Sequence, residues 1–104
     1  MSESSPISRR LPFPAGPAAA AALLEPLLAE VAGEGAAPVT LALDYGAPAA
    51  AGETLLVEAW VDRATRTLVF AQARATGESG AMAVTGSAVF RRPAPPRRDD
   101  AAPT

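Results

Sequence analysis

The spacing of apolar residues changes once along this chain of 104 residues. Between Ala18 and Gly33, leucine and valine recur every three or four residues, which predicts a helix with one apolar face. Four later segments alternate between apolar and polar residues, which predicts β-strands at 39–45, 54–62, 67–76 and 81–91. One helix followed by four long strands favours an α+β fold in which the helix covers one face of an antiparallel sheet.

The apolar face of the predicted helix consists of Leu24, Leu27, Leu28 and Val31. Gly33 or Gly35 is expected to end the helix, because glycine adopts the left-handed backbone of a helix C-terminus without steric cost. Pro26 cannot donate a hydrogen bond to the carbonyl of Ala22, which costs about 3 kcal/mol inside a helix. We therefore expect the helix either to kink at Pro26 or to restart with Pro26 in its first turn.

Two expectations concern the way these elements pack. Ala18, Ala22 and Ala29 form a small face on the helix, along which a sheet or a partner helix is expected to approach closely. The connections between the predicted strands are short, which favours a meander in which each strand pairs with the next one.

The composition excludes several kinds of chemistry. The chain contains no cysteine and no histidine, so it has no disulfides, no thiolate nucleophile, no histidine-dependent triad and no histidine-ligated metal. We expect no cofactor and no metal. The formal net charge of -2 gives no electrostatic footprint for a nucleic-acid partner.

The two ends of the chain differ from its middle. Residues 1–12 are expected to form a flexible N-terminal segment or a short strand, and 13–92 a single folded domain. Residues 93–104 are rich in proline, arginine and aspartate, and such a segment buries too little apolar area to offset the entropy of ordering it. We therefore expect a disordered tail there.

The sequence also bears on location. It has no apolar run near the roughly 20 residues of a membrane span. Arg9 and Arg10 before an alanine-rich run faintly resemble a twin-arginine export signal, but Glu25, Pro26 and Glu30 interrupt that run. The cytoplasm is the preferred location.

A domain of this size has a limited core. About 75 residues fold, and a chain this small buries only about 60 % of its unfolded surface. Long strands also leave at least one sheet edge exposed. We therefore predict a homodimer in which edge strands pair and continue the sheet across the interface.

Short motifs follow the helix in a characteristic order. They are 40–45 (TLALDY), 47–48 (AP), 52–55 (GETL), 57–59 (VEA), 63–68 (RATRTL), 70–73 (FAQA) and 80–90 (GAMAVTGSAVF). Their order and spacing over about residues 39–92 resemble the second half of the hotdog-fold thioesterases, most closely the PaaI-like and acyl-CoA thioesterase branch. At the His-Gly-Gly helix entry of that family this chain has 13–17 (FPAGP), where Gly16 stands for one glycine.

The resemblance implies a fold and a reaction. The fold is a helix wrapped by an antiparallel sheet, in a homodimer or a dimer of dimers with sites between subunits. A backbone amide at the helix start, here that of Gly16, polarises the thioester carbonyl. A helix carboxylate, here Glu25, attacks the carbonyl or activates water. Glu25 lies nine residues after Gly16, one position later than the family pattern.

The resemblance also implies an acyl-CoA-type ligand. Tyr45 and Trp60 are candidates for the acyl pocket, and the phosphates of coenzyme A are assigned to arginines, namely Arg63, Arg66, Arg91 and also Arg92. Each residue has a plainer interpretation: Trp60 in core or interface packing, the arginines in solvent, and Glu25 on the helix surface.

Two functions from different classes are therefore open. The first is an acyl-CoA thioesterase that uses Glu25 and the Gly16 amide. The second is a non-catalytic hotdog protein that binds an acyl ligand or serves as a dimerisation module, which the incomplete helix entry favours.

Overall fold

The computed structural model describes residues 5–93, and residues 1–4 and 94–104 lie outside it. One helix packs on one face of an antiparallel sheet, as the sequence predicts, and the sheet has a fifth strand in addition to the four predicted ones. The elements in chain order are β1 (Ile7–Pro12), α1 (Ala19–Ala32), β2 (Ala37–Tyr45), β3 (Thr54–Ala64), β4 (Leu68–Thr76) and β5 (Met82–Arg91). Apart from Pro93, the predicted C-terminal tail falls outside the described residues.

The strand order in the sheet is β1-β3-β4-β5-β2, and all neighbours are antiparallel. The predicted meander is correct for β3, β4 and β5 and wrong for β2, which pairs with β5 at the opposite side of the sheet. The connection 46–53 is longer than the two to five residues of a usual hairpin. Its first amides, those of Gly46 and Ala47, donate to Ala83 and Met82 and so continue the pairing with β5.

The leucine face of α1 forms the core, as predicted. Leu24 and Leu28 are 0 % exposed. The sheet supplies the small residues beneath the helix, because β4 turns Val69, Ala71, Ala73 and Ala75 toward it, all of them buried. The sheet of the same chain does not approach the alanine face of the helix, because Ala18, Ala22 and Ala29 are exposed; an approach by a partner helix stays a prediction.

Pro26 lies inside α1, which runs from Ala19 to Ala32 as one helix. The predicted restart at Pro26 is therefore wrong. Pro26 is on the exposed side of the helix, where water can reach the carbonyl that its missing amide leaves unpaired. The helix ends as predicted, with Gly33 at φ 106° and its amide donating to the Ala29 carbonyl. Within residues 5–93 no helix is long and apolar enough to cross a membrane.

The sheet face opposite α1 carries polar and aromatic side chains. Arg74 pairs with Glu58, with 2.9 Å between Nε and Oε1, and its guanidinium lies 5.4 Å from the centre of the Trp60 ring. On the same face Ser87 Oγ donates to Gln72 Oε1 at 3.0 Å. These side chains are partly exposed, and within residues 5–93 they contact one another across neighbouring strands.

An ion pair connects β1 to the helix. Both terminal nitrogens of Arg9 donate to the Glu30 carboxylate at 2.8 Å. The hydrogen bond from Arg9 holds the pKa of Glu30 below its ordinary value of 4.5, and the bond to Glu30 raises the pKa of Arg9. About half of each side chain is exposed, so solvent screens the pair.

This pair gives a small pH dependence of stability. Because the folded-state pKa of Glu30 is lowered, its contribution is present above pH 4.5 and is lost as the pH falls through the folded-state value. We expect Glu30→Gln to lower the melting temperature slightly at pH 7, and the difference from wild type to shrink toward pH 3. Thermal denaturation across that range measures it, with Glu34→Gln as the control. A difference that grows at low pH contradicts this assignment.

Candidate functional site

A cavity of about 230 Å³ lies where the start of α1 meets the end of β2 and the start of β5. We call it the helix-end pocket. It is lined by Phe13, Ala20, Tyr45, Gly46, Ala47, Pro48, Ala49, Ala83 and Val84. Among these lining residues Tyr45 alone has a titratable side chain. Hydrocarbon walls with few polar groups suit an apolar ligand such as an acyl chain.

The start of α1 forms one wall of this pocket through Ala20. Ala18 is the N-cap residue, and no side chain caps this end of the helix. The first amides of an uncapped helix have no intrahelical acceptor and carry the positive end of the helix dipole. Gly16 precedes this end with φ 103°, a conformation that other residues rarely adopt. The Ala19 amide donates to the Gly16 carbonyl at 3.2 Å. Of residues 16–20 the pocket lining contains Ala20, so Gly16 lies beside the pocket and not in its wall.

The opposite wall is built by the connection between β2 and β3. Glu53 fixes this connection, because its Oε1 accepts a hydrogen bond from the Ala50 amide at 3.1 Å. Its backbone carbonyl accepts from the Phe13 amide at 2.8 Å. The sequence analysis missed this positioning role.

A glycine is required at position 46, where the chain leaves β2 and begins the connection that forms this wall. A Cβ atom at Gly46 would collide with the backbone carbonyl of Met82. Glycine therefore allows the chain to stay close to β5 while it turns over the pocket.

Residues 16–84 of the chain match the family model of the thioesterase superfamily, which is more than half of its length. This chain belongs to the thioesterase superfamily. No curated protein shows a significant match to it.

Solved structures agree in fold with this superfamily chain. Zebrafish thioesterase superfamily member 2 superposes with a TM-score of 0.77 at 18% identity, covering 89% of this chain and 78% of that one. A Pseudomonas aeruginosa protein gives 0.73 at 17% identity, covering 89% and 82%. Thioesterase superfamily member 2 from Mus musculus gives 0.70 at 18% identity, covering 88% and 78%. The hotdog fold implied by the sequence resemblance is confirmed.

Glu25 is exposed on α1 and does not line the helix-end pocket. It follows Ala20 by five residues, which places it about 140° around the helix and about 7.5 Å along it. The preceding residue, Leu24, is fully buried. Leu24 also lies close to Gly86, where an added Cβ would come within 3.0 Å of its Cδ1 atom. The core side of the helix at this level is therefore occupied by Leu24, and the Glu25 carboxylate faces solvent.

The structure places the two aromatic candidates on opposite faces of the sheet. Tyr45 lines the helix-end pocket and is 70% exposed at the edge of the sheet. Trp60 is flanked in β3 by Ala59, which faces the helix, so alternation turns Trp60 to the opposite face. There it lies under Arg74 and does not line the helix-end pocket.

The arginine candidates gather at the other end of the sheet, which we call the arginine end (Arg63, Arg66, Arg91 and Arg92). In the sheet Arg91 pairs with Leu68, directly after the turn that holds Arg66. Arg92 Nη1 donates to the Thr65 carbonyl at 2.8 Å. Arg91 lies seven residues after Val84 along β5, which corresponds to about 23 Å. The arginine end and the helix-end pocket of one chain are therefore well separated.

A larger cavity of about 390 Å³ lies on the sheet face opposite α1. Arg63, which stacks over Phe70 with 4.6 Å to the ring centre, lines it together with Gln72 and Ser87. It is remote from the start of α1, so it lacks the amide groups that the helix-end pocket has. Residues 5–93 contain no cluster of three or more potential metal ligands.

Proposed function

We propose that this chain binds an acyl thioester, with its acyl chain in the helix-end pocket, and hydrolyses it to a carboxylic acid and a thiol. The observation that carries this proposal is the uncapped start of α1 in the wall of an apolar pocket. Membership of the thioesterase superfamily supports the choice of a thioester as the ligand.

In the proposed reaction the Gly16 amide and the helix dipole stabilise the negative charge that develops on the thioester oxygen. Pro17 has no amide hydrogen to add, so Gly16 is the donor assigned to this turn. Glu25 either attacks the carbonyl carbon or takes a proton from the attacking water. When Glu25 takes the proton, hydroxide adds to the carbonyl carbon, the carbon–sulfur bond breaks and that proton passes to the leaving thiolate. When Glu25 attacks, the carbon–sulfur bond breaks, the thiolate takes a proton from water, and a second water then hydrolyses the acyl-Glu25 anhydride to the carboxylic acid and free Glu25.

Glu25 serves this role in a cleft between two copies of the chain. Its carboxylate is on the exposed side of α1, which is the side available to a ligand or a second copy. The free edge at β2 supplies the dimer contact, because its Val39 and Leu41 are 46% and 36% exposed. Coenzyme A is the proposed thiol carrier, with the arginine end binding its phosphates.

We expect Glu25→Gln to lower kcat for an acyl-CoA ester at least about 100-fold, because a carboxamide neither accepts the proton nor attacks. The effect is measured as the rate of hydrolysis of a panel of acyl-CoA esters, monitored through the free thiol that is released. Glu34→Gln, an exposed carboxylate in the turn after α1, is the matched control and keeps wild-type activity. Unchanged turnover by Glu25→Gln removes Glu25 from the mechanism.

A second candidate function is binding of an acyl ligand, or dimerisation alone, without hydrolysis. The buried Leu24 favours it, because the helix position that the family pattern assigns to the carboxylate holds a leucine in the core. A non-hydrolysable S-alkyl-CoA raises the melting temperature under both the enzymatic and the binding hypothesis. Stabilisation without any turnover selects the binding protein, and a melting temperature unaffected by every ligand selects the dimerisation module.

A further inference from the structure

The helix-end pocket is closed at its inner end, and this bears on the length of acyl chain that it takes, an inference that rests on the proposed function. Ala20, Ala83 and Val84 form the inner end and are buried. Tyr45 and Pro48 lie at the mouth and are exposed. The three residues of the inner end belong to the main hydrophobic core, so a ligand that extends past them has to displace close-packed side chains.

A β-bulge in β5 brings Ala83 to this inner end. Strict alternation along β5 turns position 83 away from α1, because its neighbour Val84 faces the helix. The register with β4 shifts between Ala75 and Thr76, and Ala83 is the residue of β5 that this shift leaves without a partner strand residue. Such an extra residue changes the direction of the side chains near it. Two successive residues of one strand therefore lie in the core and close the pocket.

The volume of the pocket limits the chain that fits. The cavity measures about 230 Å³. A water molecule occupies about 30 Å³ in the liquid and a methylene group is of similar size, so the cavity holds about eight non-hydrogen atoms. The end of a longer chain meets the core, and its remaining carbons stay at the mouth in contact with water.

We propose that Ala20 and Ala83 set an upper limit on acyl length, so that the helix-end pocket takes straight chains of up to about eight carbons. In a longer chain the surplus carbons displace the thioester carbonyl from the start of α1. The substrate class is therefore a short- or medium-chain acyl thioester. A larger side chain at either alanine occupies the space of the last carbons and lowers the limit.

The first test measures the limit in the wild-type protein with S-butyl-, S-octyl- and S-dodecyl-CoA. Each methylene group that enters the pocket raises affinity about fourfold. The Kd is therefore expected to fall at least about 50-fold from the four-carbon to the eight-carbon probe, and to change less than about threefold from eight carbons to twelve. Calorimetry gives the three constants. An affinity that rises by the same factor per methylene up to twelve carbons overturns the inference.

The second test changes the inner end. Ala83→Leu adds three carbons there and is expected to lower the preference for S-octyl-CoA over S-butyl-CoA at least tenfold. Ala20→Leu, which fills the same space from the helix, is expected to have the same effect. Ala64→Leu at the far, exposed end of β3 is the matched control and keeps the wild-type preference. A wild-type preference in Ala83→Leu or in Ala20→Leu removes that residue from the limit, and in both variants it overturns the inference.

Both variants are expected to fold. Ala83 does not have a positive φ, and each added side chain enters an empty apolar cavity, so the melting temperature stays at or above that of the wild type. Thermal denaturation establishes this, and either variant alone is sufficient for the comparison of the two probes.

The outcomes separate the inference from the function on which it rests. A wild-type protein that binds none of the three probes contradicts the proposed function and the inference together. A wild-type protein that binds all three without a plateau at eight carbons overturns only the length limit.

Discussion

Replacing Leu24 by alanine is expected to lower the free energy of unfolding by about 3 kcal/mol and the melting temperature by about 12–24 °C. Leu24 is 0% exposed, and its side chain extends from α1 onto the middle of β5. The neighbouring sheet residues cannot fill the space that its side chain leaves, because Ala73 and Ala75 of β4 have no rotatable side chain. A cavity therefore adds to the lost transfer free energy.

Chemical denaturation of the Leu24→Ala variant measures this loss directly. Met82→Ala is the control, since Met82 is 47% exposed and its truncation leaves no buried cavity; it is expected to change stability by less than about 1 kcal/mol. Similar effects of the two variants contradict the packing of the leucine face against the sheet.

The helix, the strands and the two faces of most strands follow from local sequence. Alternation in β4, for example, assigns Ala71 and Ala73 to the helix side, and both are buried. Local periodicity is enough for this because every residue in a strand turns to one of only two faces. The partner of β2 does not follow, because the choice between β3 and β5 depends on contacts distant in sequence. Nothing in the alternation of 39–45 distinguishes them.

The candidate site was harder to predict than the fold. Tyr45 was selected for its aromatic ring and does line the helix-end pocket. The rest of that pocket consists of alanine, glycine and backbone, and these residues give no chemical signal in a sequence. The distance between Tyr45 and Arg91 in one chain depends on the pairing of β2 with β5 and on its register. Neither follows from the sequence of the two strands.

Replacing Leu41 by lysine is expected to convert the proposed dimer to monomers, with at least a 100-fold increase in the dimer dissociation constant. Leu41 is the central residue of β2, so fully overlapping antiparallel strands place it opposite itself across the two-fold axis. The substitution removes the burial of two leucine side chains, about 3 kcal/mol in total, and sets two positive charges against each other. A change of 3 kcal/mol corresponds to about 100-fold in an equilibrium constant.

Sedimentation velocity over a range of concentrations measures this change, and Ser8→Lys provides the matched control. Ser8 is an exposed residue of β1 at the opposite edge of the sheet, so the same charge there leaves the dimer intact. A Leu41→Lys protein that remains dimeric places the interface elsewhere than β2.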